Sequence, residues 1–582
     1  MRHSKVRAGS AAVVAAGLIA AAAGAAGAQT PPAPAGATPA TFKQVTFKQQ
    51  TASIDKLLSN TRMTQDLDAP ARAFTAPTSM QVKPDDPNIV VAASADMRSK
   101  ICYLIVSKDA GLTWHFSKEL PTDPKYPYCT SNSNASVPHV MLAWGKNDTL
   151  YYARMAFGDN EVSGGQGHGS ILMAKTSNLG ESWKTVLVDN NRGTTANPPA
   201  NDNGVTGLAV DTSGARDIVY VGFNTSYPDA ASDSLLRLPH VMVGISTDGG
   251  DTFGKPIDLN SFNRPTRDIN GTTYQSYMMA SFGSPFLFAK DGVVMAFAGS
   301  TFGFNSQPAP PPEAGANLSP GSWYAYPMPQ FYARSTDQGK TWEIKALGDP
   351  VFLGTGAFTP TVWTPKGGAK GTIIAVYNAT PQTSPSMNLE DIVMQKSTDM
   401  GVSWSPMLAI DDDTPDQNST SFYPQINVAP NGRVDVAWQD NRDKTSTDFY
   451  FDVRYTYSDD GGVTWAKNVK VNDRPNNFNL GISYNSDLRY PNGVASANDY
   501  AIIGWADSRN ADDLSQAQDD YAGAVQFAPL PTTKNTTAPV VAAVFGGLVL
   551  AGFVLLGVLL WRRGNAGGSG SAPRKAPAAV KA

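Results

Sequence analysis

A short Asp-x-Arg motif occurs three times, each time after an apolar run with strand-like residues. The copies are ADMR (Ala95 to Arg98), QDNR (Gln439 to Arg442) and ADSR (Ala506 to Arg509). A guanidinium can bind a carboxylate through two parallel hydrogen bonds, so Arg98, Arg442 and Arg509 are candidates for an anion-binding rim. The alternative is a local Asp–Arg pair that orders the loop. An exposed pair of that kind contributes only about 0–1 kcal/mol.

Two tyrosines precede proline in similar contexts, Tyr423 in SFYPQ and Tyr490 in LRYPN, where Arg489 comes directly before. Glu390 lies upstream, in NLEDI. A Glu, a Tyr and an Arg that meet at one site can act as base, nucleophile and carboxylate clamp. Tyr423 and Glu390 are therefore candidate catalytic residues, and Arg489 and Tyr490 are candidate ligand-binding residues. The alternative is that each Tyr-Pro pair begins a strand and serves packing alone.

The sequence predicts no cofactor. None of the five histidines is paired at metal-ligand spacing. There is no Gly-x-Ser-x-Gly nucleophile elbow and no phosphate-binding loop. The acidic stretch DDDTPDQNS, Asp411 to Ser419, has oxygens that suit a structural calcium ion but lacks the spacing of an EF-hand loop. A solvated acidic loop is the simpler interpretation of this stretch.

The elements that would position these residues are indicated by a repeated turn. The pattern Ser/Thr-x-Asp-x-Gly-x-Thr/Ser-aromatic occurs six times. An Asp or Asn side chain accepts hydrogen bonds from nearby backbone N–H groups, Gly allows a positive φ, and the aromatic side chain has a large area to bury. The pattern predicts six hairpin turns, which are built around Asp109, Asn178, Asp248, Asp337, Asp399 and Asp460.

Short strand-like runs flank each copy of the turn. Around Ser458 they are PQINVAP, GRVDVAWQD, FDVRYTYS and AKNVKVN, which together predict a four-stranded antiparallel sheet. Such units at this period are typical of propeller blades. A last unit lacks the turn, and its fourth strand is expected from the N-terminal side, at KQVTFKQQ (Lys43 to Gln50). The prediction is an all-β propeller of seven blades, with six or eight as alternatives.

The repeated turns resemble the Asp-boxes (BNR repeats) of the sialidase superfamily of β-propellers, and the resemblance covers residues 42–528. It implies an active site on the face opposite the Asp-boxes, where the loops between strands two and three lie. Sialidases use an arginine trio, an early Arg-Ile-Pro motif, a Tyr nucleophile with a Glu beside it, and an Asp acid/base. By this resemblance, Asp96 is the candidate acid/base. The first predicted blade begins FTAPTSMQVKP and has no Arg-Ile-Pro motif.

Both ends of the chain carry targeting patterns. Residues 1–28 combine basic residues, an Ala-rich apolar run and a small-x-small site, as in a secretory signal peptide. The alternative, an N-terminal membrane anchor, would need a longer apolar run. Residues 29–41 and 529–537 are predicted linkers. Ala538 to Leu560 is an uncharged apolar run that predicts a transmembrane helix, and the basic tail 561–582 is predicted to be cytoplasmic. LPTTK before the run resembles a sortase signal, but Lys534 replaces the required Gly, which favours a retained anchor.

The composition excludes some partners. Charged residues make up only 16% of the 582 residues, and the net charge of −4 provides no basic field for nucleic acid. Two cysteines, Cys102 and Cys129, are expected to form one disulfide in an exported chain. The sequence thus supports two hypotheses: a cell-surface propeller that recognises glycans or proteins, and an exo-acting glycoside hydrolase of sialidase type.

Overall fold

The computed structural model describes most of the chain between residues 42 and 527. The described residues are 42–69, 72–77, 79–117, 120, 127–129, 140–157, 170–189, 204–227, 238–269, 272–279, 287–302, 330–348, 359–363, 372–379, 390–413, 419–443, 450–477, 480, 493–512, 515 and 517–527. The predicted signal peptide, both linkers, the predicted transmembrane helix and the basic tail lie outside them. No helix within these ranges is long and apolar enough to cross a bilayer.

The strands of the first three blades follow three short N-terminal strands, β1 (Thr46–Phe47), β2 (Lys56–Leu57) and β3 (Thr61–Arg62). Blade 1 consists of β4 (Ser79–Lys83), β5 (Asp86–Asp96), β6 (Ile101–Ser107) and β7 (His115–Phe116). Blade 2 consists of β8 (Met141–Trp144), β9 (Leu150–Ala156), β10 (Ser170–Thr176) and β11 (Lys184–Asp189). Blade 3 consists of β12 (Gly204–Asp211), β13 (Ile218–Tyr227), β14 (Leu238–Ser246) and β15 (Ile257–Asp258).

A single 3₁₀ turn among the described residues, η1 (Leu259–Ser261), leads to blade 4. A hairpin not predicted from the sequence, β16 (Thr266–Ile269) and β17 (Thr272–Met279), joins that blade by pairing with its second strand. Blade 4 proper consists of β18 (Leu287–Lys290), β19 (Val293–Phe302), β20 (Phe331–Ser335) and β21 (Glu343–Ala346). Blade 5 consists of β22 (Thr359–Trp363), β23 (Thr372–Ala379), β24 (Asp391–Ser397) and β25 (Leu408–Ala409).

The last two blades end the described part of the chain. Blade 6 contains β26 (Ser421–Val428), β27 (Val434–Asp440), β28 (Tyr450–Ser458) and β30 (Val469–Lys470), with β29 (Thr464–Trp465) and β31 (Asn476–Asn477) beside them. Blade 7 contains β32 (Gly493–Ser496), β33 (Tyr500–Asp507) and β34 (Asp519–Gln526), and β2 is its fourth strand. The structure therefore confirms seven four-stranded antiparallel blades.

The core lies between the blades. Seven apolar clusters each join two neighbouring blades, and one of them joins blade 7 to blade 1. In that cluster Trp114 and Ile105 of blade 1 pack with Ile502 of blade 7. A strand in the middle of a blade is covered on both faces, as the eight buried residues of β33 illustrate. The ring of clusters explains why the blades form one closed body.

The repeated Asp forms the predicted turn in atomic detail. Asp337 accepts hydrogen bonds from the backbone N of Thr341 at 3.0 Å, from the Thr341 hydroxyl at 2.7 Å and from the Ser335 hydroxyl at 2.7 Å. Gln338 and Gly339 have φ values of 62° and 88°, in the left-handed region that glycine enters most readily. The other five turns repeat this geometry, with Asn178 in place of Asp in blade 2.

The closing strand comes from the N-terminal side, but not from Lys43 to Gln50. That segment forms β1, which pairs in parallel with β29 of blade 6, and Gln44 bridges Ala409 of blade 5. Blade 7 is completed instead by β2, while β3 pairs further along β34. The predicted segment has a strand-like pattern, but it pairs with blades 5 and 6, and the next strand along the chain reaches blade 7. Residues 44–62 thus run along the outer edges of three consecutive blades, and we call them the N-terminal strap.

The predicted disulfide between Cys102 and Cys129 is present, with a Cα–Cα distance of 5.7 Å. Cys102 lies in β6, and Cys129 lies on the connection to blade 2. The backbone N of Cys129 also donates to the carbonyl of Lys100 at 2.9 Å. The bridge therefore fixes the blade 1–2 connection beside the first Asp-x-Arg loop.

Candidate functional site

The candidate residues that the structure describes lie on the face opposite the Asp-boxes. Each Asp-x-Arg motif begins with the final residue of the second strand of its blade, which is Asp96 in β5, Asp440 in β27 and Asp507 in β33. The Asp-box turns, by contrast, lie beside the start of the second strand, as the hydrogen bond from Ala110 N to the Asn88 carbonyl shows. The three motifs belong to blades 1, 6 and 7, which are neighbours around the closure of the ring.

In all three motifs the Asp side chain caps its own loop. One carboxylate oxygen accepts the backbone N–H of the Arg two residues on, at 3.2 Å for Asp96, 2.8 Å for Asp440 and 2.7 Å for Asp507. This is the local ordering role that the simpler interpretation assigns to the motif.

Arg442 forms ion pairs with two carboxylates. Its Nε donates to Asp440 at 2.8 Å, and Nη1 donates to Asp412 at 2.6 Å. Only 7% of its side chain is exposed. Burial opposes the charge, but the neighbouring Asp440 carboxylate raises the pKa of Arg442 above its usual value. Asp412 is separated from the motif by 30 residues, so the sequence motif alone did not indicate this second ion pair.

Arg509 is held in the same way. Its Nη2 donates to Asp507 at 2.8 Å, and Nη1 lies 2.9 Å from Asp473, a residue on the connection between blades 6 and 7. The guanidinium also stacks over the ring of Tyr521 at 4.0 Å. Arg442 and Arg509 therefore have equivalent surroundings in consecutive blades, and in both cases a carboxylate from the preceding inter-blade connection supplies the second ion pair.

Arg98 differs from these two arginines. No carboxylate among the described residues bonds its guanidinium, and partial burial lowers the pKa of Arg98. The described part of the rim thus contains one arginine without a carboxylate ion pair. Arg489 and Tyr490, the other predicted ligand-binding residues, lie outside the described residues.

Tyr423 has an unusual backbone conformation. Its φ is 55°, and the register of β26 against β27 shifts between Phe422 and Gln425, as at a β-bulge. A bulky residue with positive φ is rare and costs about 1–3 kcal/mol, and such strain clusters at functional sites. The half-buried ring lies 5.2 Å from Phe422, which in turn lies 4.8 Å from Phe451. These three rings, with Ala76 and Ala506, are called the aromatic patch below.

Glu390 lies directly before β24 and is buried, with 7% of its surface exposed. Its side chain accepts a hydrogen bond from the Asn378 amide. Its carbonyl accepts the backbone N–H of Ser421 at 2.8 Å, and the Ser421 hydroxyl donates to Asp440 at 3.0 Å. The structure therefore brings Glu390 close to the Arg442 loop through Ser421, two residues before Tyr423.

Asp96 is also buried, at 3% exposure. It accepts three backbone N–H groups, from Ala73 at 2.8 Å and from Arg98 and Ser99 at 3.2 Å each. These bonds tie the segment before blade 1 to the end of β5. A structural role accounts for all of them, and the acid/base role of Asp96 stays a prediction.

Three carboxylates from two segments of the chain converge beside this site. A carboxylate oxygen from each of Asp391, Asp411 and Asp413 lies within 4.8 Å of those of the other two, and we call these residues the acidic triad. Burial, with the charge of Asp413, raises the pKa of Asp391, and burial, with the charge of Asp391, raises that of Asp411. Because Asp411 is completely buried, a solvated acidic loop is the wrong description of its position. Nothing in the sequence near Asp391 indicated that it joins this group.

A shallow cleft of about 400 Å³ lies on the Asp-box face of the propeller. It is formed between blades 1 and 2 by the turns that join the first and second strands of each blade. Pro84, Asp85, Trp144 and Asp148 are among its lining residues. Lys83 forms ion pairs with both acids, at 2.8 Å to Asp148. The cleft is therefore remote from the aromatic patch and holds none of the predicted site residues.

Comparisons with known proteins return structures of enzymes that act on sugars. No family model and no curated protein matches the sequence. A Hadza microbial sialidase is 12% identical over 75% of this chain and 74% of its own, with a TM-score of 0.39. An α-L-arabinanase from Penicillium chrysogenum is 13% identical over 66% and 94%, with a TM-score of 0.37. A polysaccharide lyase, an ulvan lyase, is 11% identical over 77% and 93%, with a TM-score of 0.38.

The assignment of the fold rests on the strand pairing and on the turn geometry rather than on these comparisons. Seven four-stranded blades close into a ring, and six of them carry the Asp-box turn. The chain is an all-β, seven-bladed Asp-box propeller, which is the architecture that its resemblance to the sialidase superfamily implies.

Proposed function

We propose that the protein is a cell-surface propeller that recognises glycans on the face opposite its Asp-boxes, without sialidase catalysis. The observation that carries the proposal is the double ion pairing of Arg442 and Arg509. The two carboxylates that already bond each guanidinium compete with the carboxylate of a sialic acid for it. At Arg442 both competing ion pairs are largely buried, and breaking one of them would cost several kcal/mol.

The aromatic patch supports recognition of a sugar that carries no acid group. Sugar-binding sites combine exposed ring faces with a few polar groups that fix orientation. Tyr423 is half-buried and strained, and the buried polar residues Glu390 and Asp440 lie nearby through Ser421. The preferred ligand is therefore a neutral glycan that stacks on Tyr423.

The cellular placement is part of the proposal and rests on the sequence. The apolar run Ala538 to Leu560, followed by Arg562 and Arg563, supports an anchor with its basic end in the cytoplasm. Protease treatment of intact cells should release the propeller and leave the tail protected. Recovery of the whole chain in the soluble fraction would contradict this placement.

A glycan array tests the binding proposal with the full-length protein and a Tyr423→Asn variant. Asn tolerates positive φ, so the variant removes the ring without adding backbone strain. We expect binding to a subset of neutral glycans, weakened by about tenfold or more in the variant. Trp144→Ala, in the cleft on the other face, is the matched control and should bind as the original protein does. An array without signal would overturn the proposal.

The second candidate is a glycoside hydrolase of sialidase type. The strained backbone at Tyr423 favours it, since strain of this kind clusters at active sites. In that mechanism Tyr423 would be the nucleophile, Glu390 its base and Asp96 the acid. A fluorogenic sialoside assay separates the two functions. Turnover that disappears in Tyr423→Phe would establish the hydrolase and overturn the binding-only proposal.

A further inference from the structure

The acidic triad brings three carboxylates together, and none of them forms an ion pair with a basic side chain among the described residues. Asp391 is the first residue of β24, whereas Asp411 and Asp413 follow β25 on the connection between blades 5 and 6. The backbone of Asp411 and Asp413 is held by hydrogen bonds that do not involve their carboxylates. The carbonyls of Asp411 and Asp413 both accept the Gln44 side-chain amide of the N-terminal strap, at 3.1 and 3.0 Å. Three ionised carboxylates this close would repel one another strongly, because the surroundings are shielded from water.

Asp411 has an oxygen that no protein group satisfies. Its side chain is completely buried, and Oδ2 accepts the backbone N–H of Ile392 at 2.9 Å. Oδ1 is also buried but accepts no hydrogen bond from the described residues. A buried carboxylate oxygen without a donor is costly, so it normally has a partner. Because Asp411 belongs to the acidic triad, this oxygen is left among carboxylates rather than donors.

The nearby basic side chains do not donate a hydrogen bond to Oδ1 of Asp411. Arg442 uses its guanidinium on Asp440 and Asp412, and its remaining contact is with Asn468 at 3.4 Å. Lys467 is largely exposed and lies 3.7 Å from Asp412. Both basic groups are therefore ion-paired with acids outside the acidic triad.

We propose that the acidic triad binds a calcium ion. The ligands are hard oxygens, which excludes the softer metals that prefer sulfur and imidazole. Three carboxylates would neutralise the ion, and Ser419, whose hydroxyl donates to Asp413, lies at the same point with a further oxygen. Calcium accepts six to eight oxygens in variable geometry, whereas magnesium requires a near-octahedral set and retains several waters. A triad drawn from two chain segments suits the larger and more tolerant ion.

The ion would fasten the connection between blades 5 and 6 to the start of β24. Glu390 precedes Asp391, and its carbonyl bonds Ser421 at the start of blade 6. Calcium would therefore hold Glu390 and the Arg442 loop in fixed relation, on the same face as the aromatic patch. The inference does not depend on what the propeller binds.

Calorimetric titration and thermal unfolding of the purified, chelator-treated full-length protein test the site. We expect one calcium ion per chain and a higher Tm in calcium, with magnesium at least about tenfold weaker. Asp391→Asn and Asp413→Asn should each weaken calcium binding by about tenfold or more, since each removes a charged ligand. The double variant should keep or raise the Tm measured in chelator, because it removes repulsion, and its Tm should not respond to calcium.

Asp473→Asn is the matched control. Asp473 lies on the connection between blades 6 and 7 and pairs with Arg509. It corresponds to Asp412, which lies on the connection between blades 5 and 6 and pairs with Arg442. This variant should bind calcium like the original protein. Calcium binding that is unchanged in the double variant would place the ion elsewhere, and the absence of binding in the original protein would overturn the proposal. If glycan binding is not found but calcium binding is, the proposed function fails and the calcium site is still supported.

Discussion

Arg72 and Asp519 are joined by a two-point ion pair across 447 residues of sequence, with Nε–Oδ1 at 2.6 Å and Nη2–Oδ2 at 2.7 Å. Asp519 is fully buried and also accepts Thr64 at 2.8 Å and Asn510 at 2.8 Å. It begins β34, the strand that pairs with β2 and β3. The pair therefore locks the N-terminal segment to the last blade.

Arg72→Ala should destabilise the propeller by about 3–5 kcal/mol, because it leaves the Asp519 carboxylate buried with too few partners. Urea unfolding measures the change. Arg62, which also bonds Asp519 but is more exposed, provides the comparison, and Arg62→Ala should cost distinctly less. Equal losses in the two variants would contradict a special role for Arg72.

The same carboxylate should make stability depend on pH in the acid range. Burial alone would raise the pKa of Asp519, but hydrogen bonds from Arg72, Asn510 and Thr64 hold it below its usual value. The pKa is thus lower in the folded chain than in the unfolded chain, where it is about 3.9. The stabilisation is complete above that unfolded value and disappears as the pH falls through the folded one. Asp519→Asn should be less stable at pH 7 and should show a flatter loss of stability on acidification.

The Asp-box turn should tolerate an amide but not the loss of its side chain. In blade 2, Asn178 accepts the backbone N–H of Ser182 at 3.0 Å and donates to the Ser182 hydroxyl at 2.9 Å. Asp337→Asn should therefore be nearly neutral, whereas Asp337→Ala should cost about 1 kcal/mol, the usual value of a lost cap. Thermal unfolding of both variants is the measurement. Equal costs would show that the charge, rather than the hydrogen bonds, maintains the turn.

Tyr423→Asn should separate stability from function. The φ of 55° is strained for Tyr and acceptable for Asn, so relief of about 1 kcal/mol offsets part of the lost packing against Phe422. We expect a change in unfolding free energy of less than about 1 kcal/mol, together with loss of ligand binding. A Tyr423→Phe control keeps the strain and the ring. A strongly destabilised Asn variant would show that Tyr423 is a packing residue.

The blades and their turns could be predicted because the information is local. Asp337 bonds residues within four positions of itself, so a pattern of eight residues contains nearly the whole turn. The closing strand was misplaced because its choice of partner is not local. Lys43 to Gln50 and Lys56–Leu57 can both form strands, and only the path around the ring decides which one reaches blade 7.

The candidate site was predictable only in part, for the same reason. The Asp440–Arg442 contact lies within one motif, but Asp412 and Asp473 reach the arginines from other connections and change what those arginines can bind. Asp391 meets Asp411 and Asp413 only after blade 5 has folded. The positive φ of Tyr423 arises from a register shift that no side-chain pattern records.

The N-terminal strap also determines when the fold can be completed. Strand β2 has no partner until β34 has been synthesised, because Lys56 pairs with Gln526. Six blades can form in order as the chain is made, while the strand needed for the seventh waits unpaired at the other end. Ring closure thus cannot precede the synthesis of β34, and a chain interrupted before residue 519 would leave β2 and β3 unpaired, as open edges that invite association with other chains.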